Sequence, residues 1–560
     1  MLALALARRL ALLLTPFVAA ASAQAQILHV DLTLTTGAGD GSSWQDAFQG
    51  PAGLEDAFAA ATPGTTIWAT GGTYRVTSSY ATVWLQLDAT DVTFIGGFVG
   101  GEGSPFERPG PDRFPTVLSG DALGDDDGSP VSTFDNAYRV LHVSNAHGFT
   151  MEHVHVMSAR TFGFEAVRSD VRIRRCVFQG NHGSGARVLG GFGLSSFVDA
   201  GRIVDCVFRG NGEDGLQLDG HFDVTASAID RCRFEGNTRH GLDLTPMTGL
   251  MRAEISSSLF ARNGQAGIHA PVVTEVGTQV RIRRSTIVAN GVHGFRSFGA
   301  CGLSPCPALT DNVLWGNGGS QIARNGGFAE LSGNVVEGSS AVGSLTADNL
   351  FVDFAAGDYR LRSGSIAVDA GTVPIVPPAV GPPLDVLGAR RIYNDPSVPD
   401  PGTPAAQADV GAFEHSPFIG AFGDCPTTPN STGVPGRIFA EGSLAAVDLD
   451  LRLSARGVPQ NQFGVFLVSR SAGLAPMAGG GSGTLCLGGD IGRFNGPGQI
   501  LSSGANGTFA LDVDLSTVPQ PSAFVTVRPG ETWRFQAWHR DLAPGAFSNQ
   551  FTDAVALRFR

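Results

Sequence analysis

Residues 171–188 read VRIRRCVFQGNHGSGARV, residues 201–218 read GRIVDCVFRGNGEDGLQL and residues 227–244 read SAIDRCRFEGNTRHGLDL. Laid over one another, they place an Asn at the same point, and that point recurs: Asn181, Asn211, Asn237, Asn263, Asn290 and Asn317 stand 26 to 30 residues apart. Eight residues before each Asn is an aliphatic side chain (Ile173, Ile203, Ile229, Ile255, Ile282, Leu309), and three before it a bulky apolar one (Phe178, Phe208, Phe234, Phe260, Ile287, Leu314). Five after it comes a third apolar column (Ala186, Leu216, Leu242, Ile268, Phe295, Ile322), preceded by Gly185, Gly215, Gly241, Gly267 and Gly294. Each unit holds three short strands and cannot bury its apolar face alone, so it must stack on its neighbours. Strands about 4.8 Å apart turn identical columns into ladders. An Asn at each corner tolerates left-handed backbone angles, and its amide can bond the corners above and below. Parallel strands joined this way cross over right-handed. The expected fold class is all-β, a right-handed parallel β-helix.

The period runs past the Asn units. Met151, Val154 and Val156 fit a coil 22 residues before Ile173, and Leu331, Asn334 and Val336 fit another 22 residues after Leu309. Runs around Ile67, Val92 to Ile95, Val117 and Val140 suggest earlier coils. Together they predict on the order of a dozen coils, a rod roughly 50 to 60 Å long. Leu54, Ala57, Phe58 and Ala61 have helical spacing and suit a cap over the open N-terminal end. The solenoid is expected to span 26–416, with Asn-ladder coils in 151–345, a closing segment in 350–415 and a last strand at Asp409 to Glu414. Residues 420–560 change to alternating strands, roughly seven in number, which predicts a separate β-sandwich.

Composition limits the function. The chain has 76 Gly among 560 residues, 16% charged residues and a formal net charge of −13, which argues against a nucleic-acid partner. All 38 basic residues are Arg, so chemistry that needs a lysine is excluded. Arg8 and Arg9, the apolar run Leu10 to Ala21 and the small pair Ala21 and Ala23 read as a signal peptide over 1–25, giving an exported, secreted or cell-surface protein with no transmembrane segment in its mature form. Cys176, Cys206 and Cys232 share one column and read as small interior side chains. Disulfides are expected between Cys425 and Cys486 and between Cys301 and Cys306.

Val30-Asp31 with Gly41-Ser42-Ser43-Trp44 and Ala47-Phe48, Leu118-Ser119-Gly120-Asp121, and Leu361-Arg362-Ser363-Gly364-Ser365 to Asp369-Ala370-Gly371 with Asp409-Val410-Gly411-Ala412-Phe413-Glu414 resemble the secreted bacterial "choice-of-anchor Q" proteins. The resemblance covers about residues 27 to 415, and the coils between its ends are similar to the pectate-lyase-like superfamily. It implies the β-helix and a preference for carbohydrates, not a reaction. The Asn430-Ser431-Thr432-Gly433, Gln462-Phe463-Gly464 and Trp533 to Asp541 segments look like a terminal module of secreted proteins, in which Trp533 and Trp538 suit sugar stacking or core packing.

Two columns after the ladder Asn are read as outward-facing. Six residues on stand Arg187, Gln217, Asp243, His269 and Arg296, and three on stand Asp214, His240 and His293. A lyase would use Arg187 or Arg296 to clamp a uronate carboxylate and a His or Arg as base, whereas a hydrolase would use Asp214 with Asp243 or Asp219. A solvated polar face is the competing reading. The column six before the Asn (Arg175, Asp205, Arg231, Ser257, Arg284, Asp311) reads as a stabilising charge ladder. Asp121, Asp125, Asp126 and Asp127 could gather oxygens around calcium, but an ordinary acidic loop is the favoured reading, and no other cofactor is expected. The sequence leaves two classes: a non-catalytic protein that binds polysaccharide or an envelope glycan along the rod, which is favoured, and a secreted polysaccharide lyase or glycoside hydrolase.

Overall fold

The structure, a computed structural model, describes residues 26–560 except 79–80, 109–113, 127–132, 191–202, 220–221, 224–228, 245–250, 271–278, 298–305, 325–326, 340–344, 373–383, 392–407, 423–424 and 544–545. The expected signal peptide lies outside the described residues. Three parallel sheets form the rod: sheet I with thirteen strands, sheet II with ten and sheet III with nine, among the described residues. Each coil gives a strand to each sheet; around Asn237 these are Ile229–Asp230, Arg233–Glu235 and Leu242–Leu244. Twelve strands stack in succession along sheet I, and their eleven steps make the rod roughly 53 Å long, in keeping with the dozen coils expected.

Each apolar column read in the sequence is a line of register partners. Ile173, Ile203, Ile229, Ile255, Ile282 and Leu309 stack in sheet I. Phe178, Phe208, Phe234 and Phe260 stack in sheet II with ring centroids 4.8, 4.8 and 4.6 Å apart and nearly parallel planes. Ala186, Leu216, Leu242, Ile268, Phe295 and Ile322 follow in sheet III. The helix Ala52–Ala60 buries Leu54, Ala57 and Phe58 against the first coils, as expected of a cap.

The Asn amides form an unbroken chain. Each Nδ2 donates to the Oδ1 of the next coil's Asn, over 3.0, 2.8, 2.9, 2.9 and 2.8 Å from Asn181 to Asn317. Each of these acceptors also takes the backbone N–H of the preceding coil's Asn. The left-handed residue is not the Asn, contrary to expectation, but the one before it: Gly180, Gly210, Gly236, Arg262, Ala289 and Gly316 have φ between 54° and 64°. Turning the chain one residue earlier frees the Asn to lay its amide along the rod axis. The glycine column has a related cause. A Cβ on Gly215 would lie 2.6 Å from the Gly241 carbonyl oxygen and 2.9 Å from Asn237 Nδ2, so the ladder itself fills that space. The column six before the Asn is a second left-handed corner, and there Arg231 pairs with Asp205 of the adjoining coil, at 2.7 Å.

Cys176, Cys206 and Cys232 are buried free thiols in the interior, and burial pushes Cys176 up to about 12. Their line continues through Ser258, Ser285 and Asn312, whose amide meets Asn334 at 2.9 Å. Cys425 and Cys486 are joined as expected. Cys306 is disulfide-bonded, and its expected partner Cys301 lies outside the described residues.

The closing segment does not extend the rod; it packs on the outer face of sheet II. Leu259, Ala261, Val288, Val313 and Trp315 are covered there by Leu350, Phe351, Tyr359, Val410 and Phe413. Asp409 to Glu414 is a buried loop rather than the strand expected, because its backbone carbonyls are taken by a side chain: the buried Arg391 guanidinium donates to the Asp409 and Gly411 oxygens, at 3.2 and 2.6 Å. The C-terminal region is a β-sandwich whose six-stranded and three-stranded antiparallel sheets share one core. Trp533 lies within that core and Trp538 is half-buried at its edge, so they form no exposed pair. Arg390 joins the two parts, its guanidinium between the Phe422 and Phe439 rings (4.3 and 4.2 Å) and paired with Asp553.

Two substitutions test the ladder. Asn237→Ala leaves partners on both adjoining coils unsatisfied and should lower stability by about 3 kcal/mol in urea unfolding. Ala289→Gly relieves a left-handed Ala and should raise stability by about 1 kcal/mol.

Candidate functional site

The residue after each inward position of sheet III points outward. Register partners line these residues into one column: His142, Glu165, Arg187, Gln217, Asp243, His269 and Arg296. The expected Arg187, Asp243, His269 and Arg296 are thus brought together on one face. His142 and Glu165 extend it toward the N-terminus and were missed in the sequence, because their coils lack the ladder Asn. The 22-residue step that places Met151 before Ile173 also places Phe164 before Ala186, and so Glu165 before Arg187.

Acidic and basic residues are interleaved along this column, which ends on the basic pair His269 and Arg296. Glu165 Oε2 lies 2.6 Å from Arg139 Nε and 3.0 Å from His142 Nδ1, and Glu165 Oε1 lies 3.7 Å from Arg187. Burial pushes the Glu165 carboxyl up, but His142, Arg139 and Arg187 outweigh it and hold it below the usual carboxylate range. Arg187 Nη2 reaches Asp219 at 2.6 Å, and His269 Nδ1 reaches Asp243 at 2.8 Å. Burial raises Asp219 in spite of Arg187. The two signs differ in accessibility. The side chains of Glu165, Asp219 and Asp243 are each 4% exposed, while Arg139, His142, Arg187 and His269 are 32%, 16%, 23% and 19% exposed. The acids lie beneath and the basic groups reach the surface.

Asp214 and His240 are not outward-facing, as had been expected. Three residues past the Asn the chain is still rounding the corner, so these side chains meet the adjoining coil's backbone. Asp214 is fully buried and its Oδ1 accepts the His240 N–H at 2.9 Å. His240 Nδ1 in turn accepts the Ala266 N–H at 3.2 Å, and its ring stacks on His269 with centroids 4.6 Å apart. Burial, then the charge of Asp243, pushes Asp214 up to about 6. Burial, then His269, brings His240 down to about 4. His293 is half-buried, and its pKa falls through burial and then Arg296. Two exposed carboxylates facing a common gap are therefore not formed by Asp214 with Asp243 or Asp219.

The acidic loop gathers Asp121 and Asp125 with Asp135, which the sequence reading missed; one oxygen of each lies within 4.8 Å of the others, a spacing a calcium shell can span. Asp127 lies outside the described residues. Arg75 already pairs with Asp121 at 3.1 Å, and Asp135 accepts the Leu123 N–H at 2.8 Å. Burial, followed by the charges of Asp135 and Asp121, raises Asp125.

The family described as the right handed beta helix region matches residues 139–349. No curated protein matches the chain. Among solved structures, the chain is similar to pectate lyase Pel9A at 16% identity and a TM-score of 0.45, over 70% of this chain and 96% of that one. It is similar to the periplasmic alginate epimerase AlgG at 12% identity and 0.26, over 50% and 54%. The tailspike protein gp49 from Acinetobacter baumannii bacteriophage Fri1, a capsular polysaccharide depolymerase, follows at 11% identity and 0.30, over 90% and 80%. Among the described residues, no helix is long and apolar enough to cross a membrane.

The buried pair predicts an unusual pH profile. Asp214 holds its proton more tightly when folded, so by itself it makes stability fall as pH rises from about 4 to about 6. His240 holds its proton less tightly when folded and makes stability rise from about pH 4 to about 6.5, opposing Asp214. Asp214→Asn removes the falling component. Its urea midpoint should therefore climb more steeply across that window than the wild type's, and parallel profiles would refute the assignment.

Proposed function

We propose that this protein binds an acidic polysaccharide along the outer face of sheet III and holds it without cleavage. The observation that carries the reading is the layering of charge: Glu165, Asp219 and Asp243 lie beneath Arg139, His142, Arg187 and His269, which remain partly exposed. A chain of net charge −13 thereby offers a locally cationic strip to a ligand. Successive basic groups lie on successive coils, so a polymer running parallel to the rod meets them in turn. The carboxylates that hydrolysis requires are already engaged. An exported location, expected from residues 1–25, and the likeness of residues 27–415 to choice-of-anchor Q proteins are consistent with an envelope or extracellular glycan as partner.

One observation favours a second reading, a lyase. Asp243 holds His269 by Nδ1, which leaves Nε2 to abstract a proton beside a uronate carboxylate, with Arg296 on the next coil as clamp.

Calorimetry with polygalacturonate, alginate and neutral dextran separates these readings. The expected result is salt-sensitive binding of an acidic polymer, no binding of dextran, and neither new absorbance at about 235 nm nor new reducing ends. Arg296→Gln should weaken binding about tenfold. A rise in absorbance that disappears in His269→Ala would replace binding by the lyase reading, and equal affinity for dextran would overturn the charge argument.

A further inference from the structure

We infer that the N-terminal end of this face carries an aromatic subsite, made by Phe134, Tyr138 and Phe162 with Arg160, that receives one ring of the acidic polysaccharide. The inference rests on the binding reading above and adds a place where a sugar is held by stacking.

Phe134 and Tyr138 are 51% and 40% exposed, and Phe162 is partly exposed. Phe134 and Tyr138 flank one guanidinium: Arg160 Cζ lies 4.7 Å from the Tyr138 ring centroid and 5.6 Å from that of Phe134. Arg187, a member of the basic column, lies 5.3 Å from the Phe162 centroid. The aromatic group therefore adjoins the cationic strip rather than standing apart from it.

The backbone beneath Tyr138 and Phe162 is fixed. Tyr138 N–H donates to Ala81 O at 2.8 Å, and Tyr138 O accepts the N–H groups of Thr161 and Phe162 at 3.0 and 3.3 Å. Thr161 Oγ1 donates to the same oxygen at 2.6 Å, and Arg160 N–H donates to Ala137 O at 2.9 Å. Phe162 is the register partner of Arg139. Tyr138 and Phe162 thus sit on backbone tied across three successive coils, and little of its motion is lost when a ligand settles on them.

Charge decides which ligand fits. Arg139, Arg160 and Arg187 lie at the rings, Glu165 is paired beneath Arg139 and His142, and in the neighbouring acidic loop Arg75 pairs with Asp121 and the Asn136 amide donates to Asp126 at 3.1 Å. The apolar C–H face of a pyranose packs on an aromatic ring, and a carboxylate on the same sugar reaches a guanidinium. Aromatic and arginine side chains set together on rigid backbone are the usual anchors of a binding surface. Phe162 and His269 are separated by four register steps of sheet III, roughly 19 Å, so one oligosaccharide can reach both ends.

The test measures binding of polygalacturonate and alginate by calorimetry for the wild type, Phe134→Ala with Tyr138→Ala, and Tyr138→Phe. Binding should weaken about tenfold in the double variant and persist in Tyr138→Phe, because stacking needs the ring and not the hydroxyl. Circular dichroism melts report folding. If the double variant melts early, Phe134→Ala alone carries the test and should weaken binding about threefold. A wild type that binds while the alanine variants match it would remove the subsite and leave the face standing. Loss in Tyr138→Phe as large as in the double variant would replace stacking by a hydroxyl contact. A wild type that binds neither polymer removes both readings.

Discussion

The asparagine amide is the constraint on which the rest of the rod depends. Its carbonyl oxygen takes both an amide and a backbone N–H from the coil before, while its own NH2 reaches the coil after, as at Asn237. An aspartate there would have no N–H to give the next coil's Oδ1, and a whole column of them would set like charges about 3 Å apart. A glutamine is one methylene too long for the corner. The ladder thus demands one amide per coil at one backbone position, and a slipped coil would break bonds on both sides of it. The units differ in length by up to four residues, yet the strands keep register, because the extra residues fall between the third strand of one coil and the first strand of the next. The amides fix where each coil must return, and the remaining corner absorbs the difference.

Register fixed in this way shapes the surface as well as the core. Parallel coils stack like positions on like positions, so an outward column of a single charge would repel itself. On sheet III acidic residues are interleaved with basic ones, Glu165 against Arg187 and Asp243 against His269, which lowers the repulsion. The shorter acids stay beneath the longer bases, and the same interleaving that stabilises the stack leaves the basic groups outermost. Stability and the proposed ligand preference thus come from one arrangement.

The sequence displays its apolar columns openly because each is repeated with the same spacing, and every partner along them was legible. Side chains at the corners were less so. Asp214 and His240 carry the composition of a solvated face, and only the backbone path shows that they turn into the adjoining coil. The change on sheet II was visible in principle: the positions four and two before the Asn read Arg233 and Glu235 in one coil and Leu259 and Ala261 in the next. An outward face that turns apolar announces a cover, here the closing segment. Asp409 to Glu414 has the alternation of a strand, but the alternation serves a buried guanidinium instead of a sheet. Phe134 and Tyr138 lie in a coil without a ladder Asn, so no period marked them. Asp135 escaped the acidic-loop reading because folding, not sequence proximity, brings it to Asp121.

The thiol column has a consequence for how long the protein lasts. While the rod is wound, Cys176, Cys206 and Cys232 are shielded, and their protons are held tightly. Unwinding returns them to ordinary acidity in the same chain as the Cys425–Cys486 bridge. A freed thiolate can then attack that bridge, and a chain whose disulfide has been exchanged no longer rewinds to the native pairing. For such exchanged chains loss of the native state is a one-way event, and endurance is then set by the height of the barrier to opening rather than by the depth of the folded minimum.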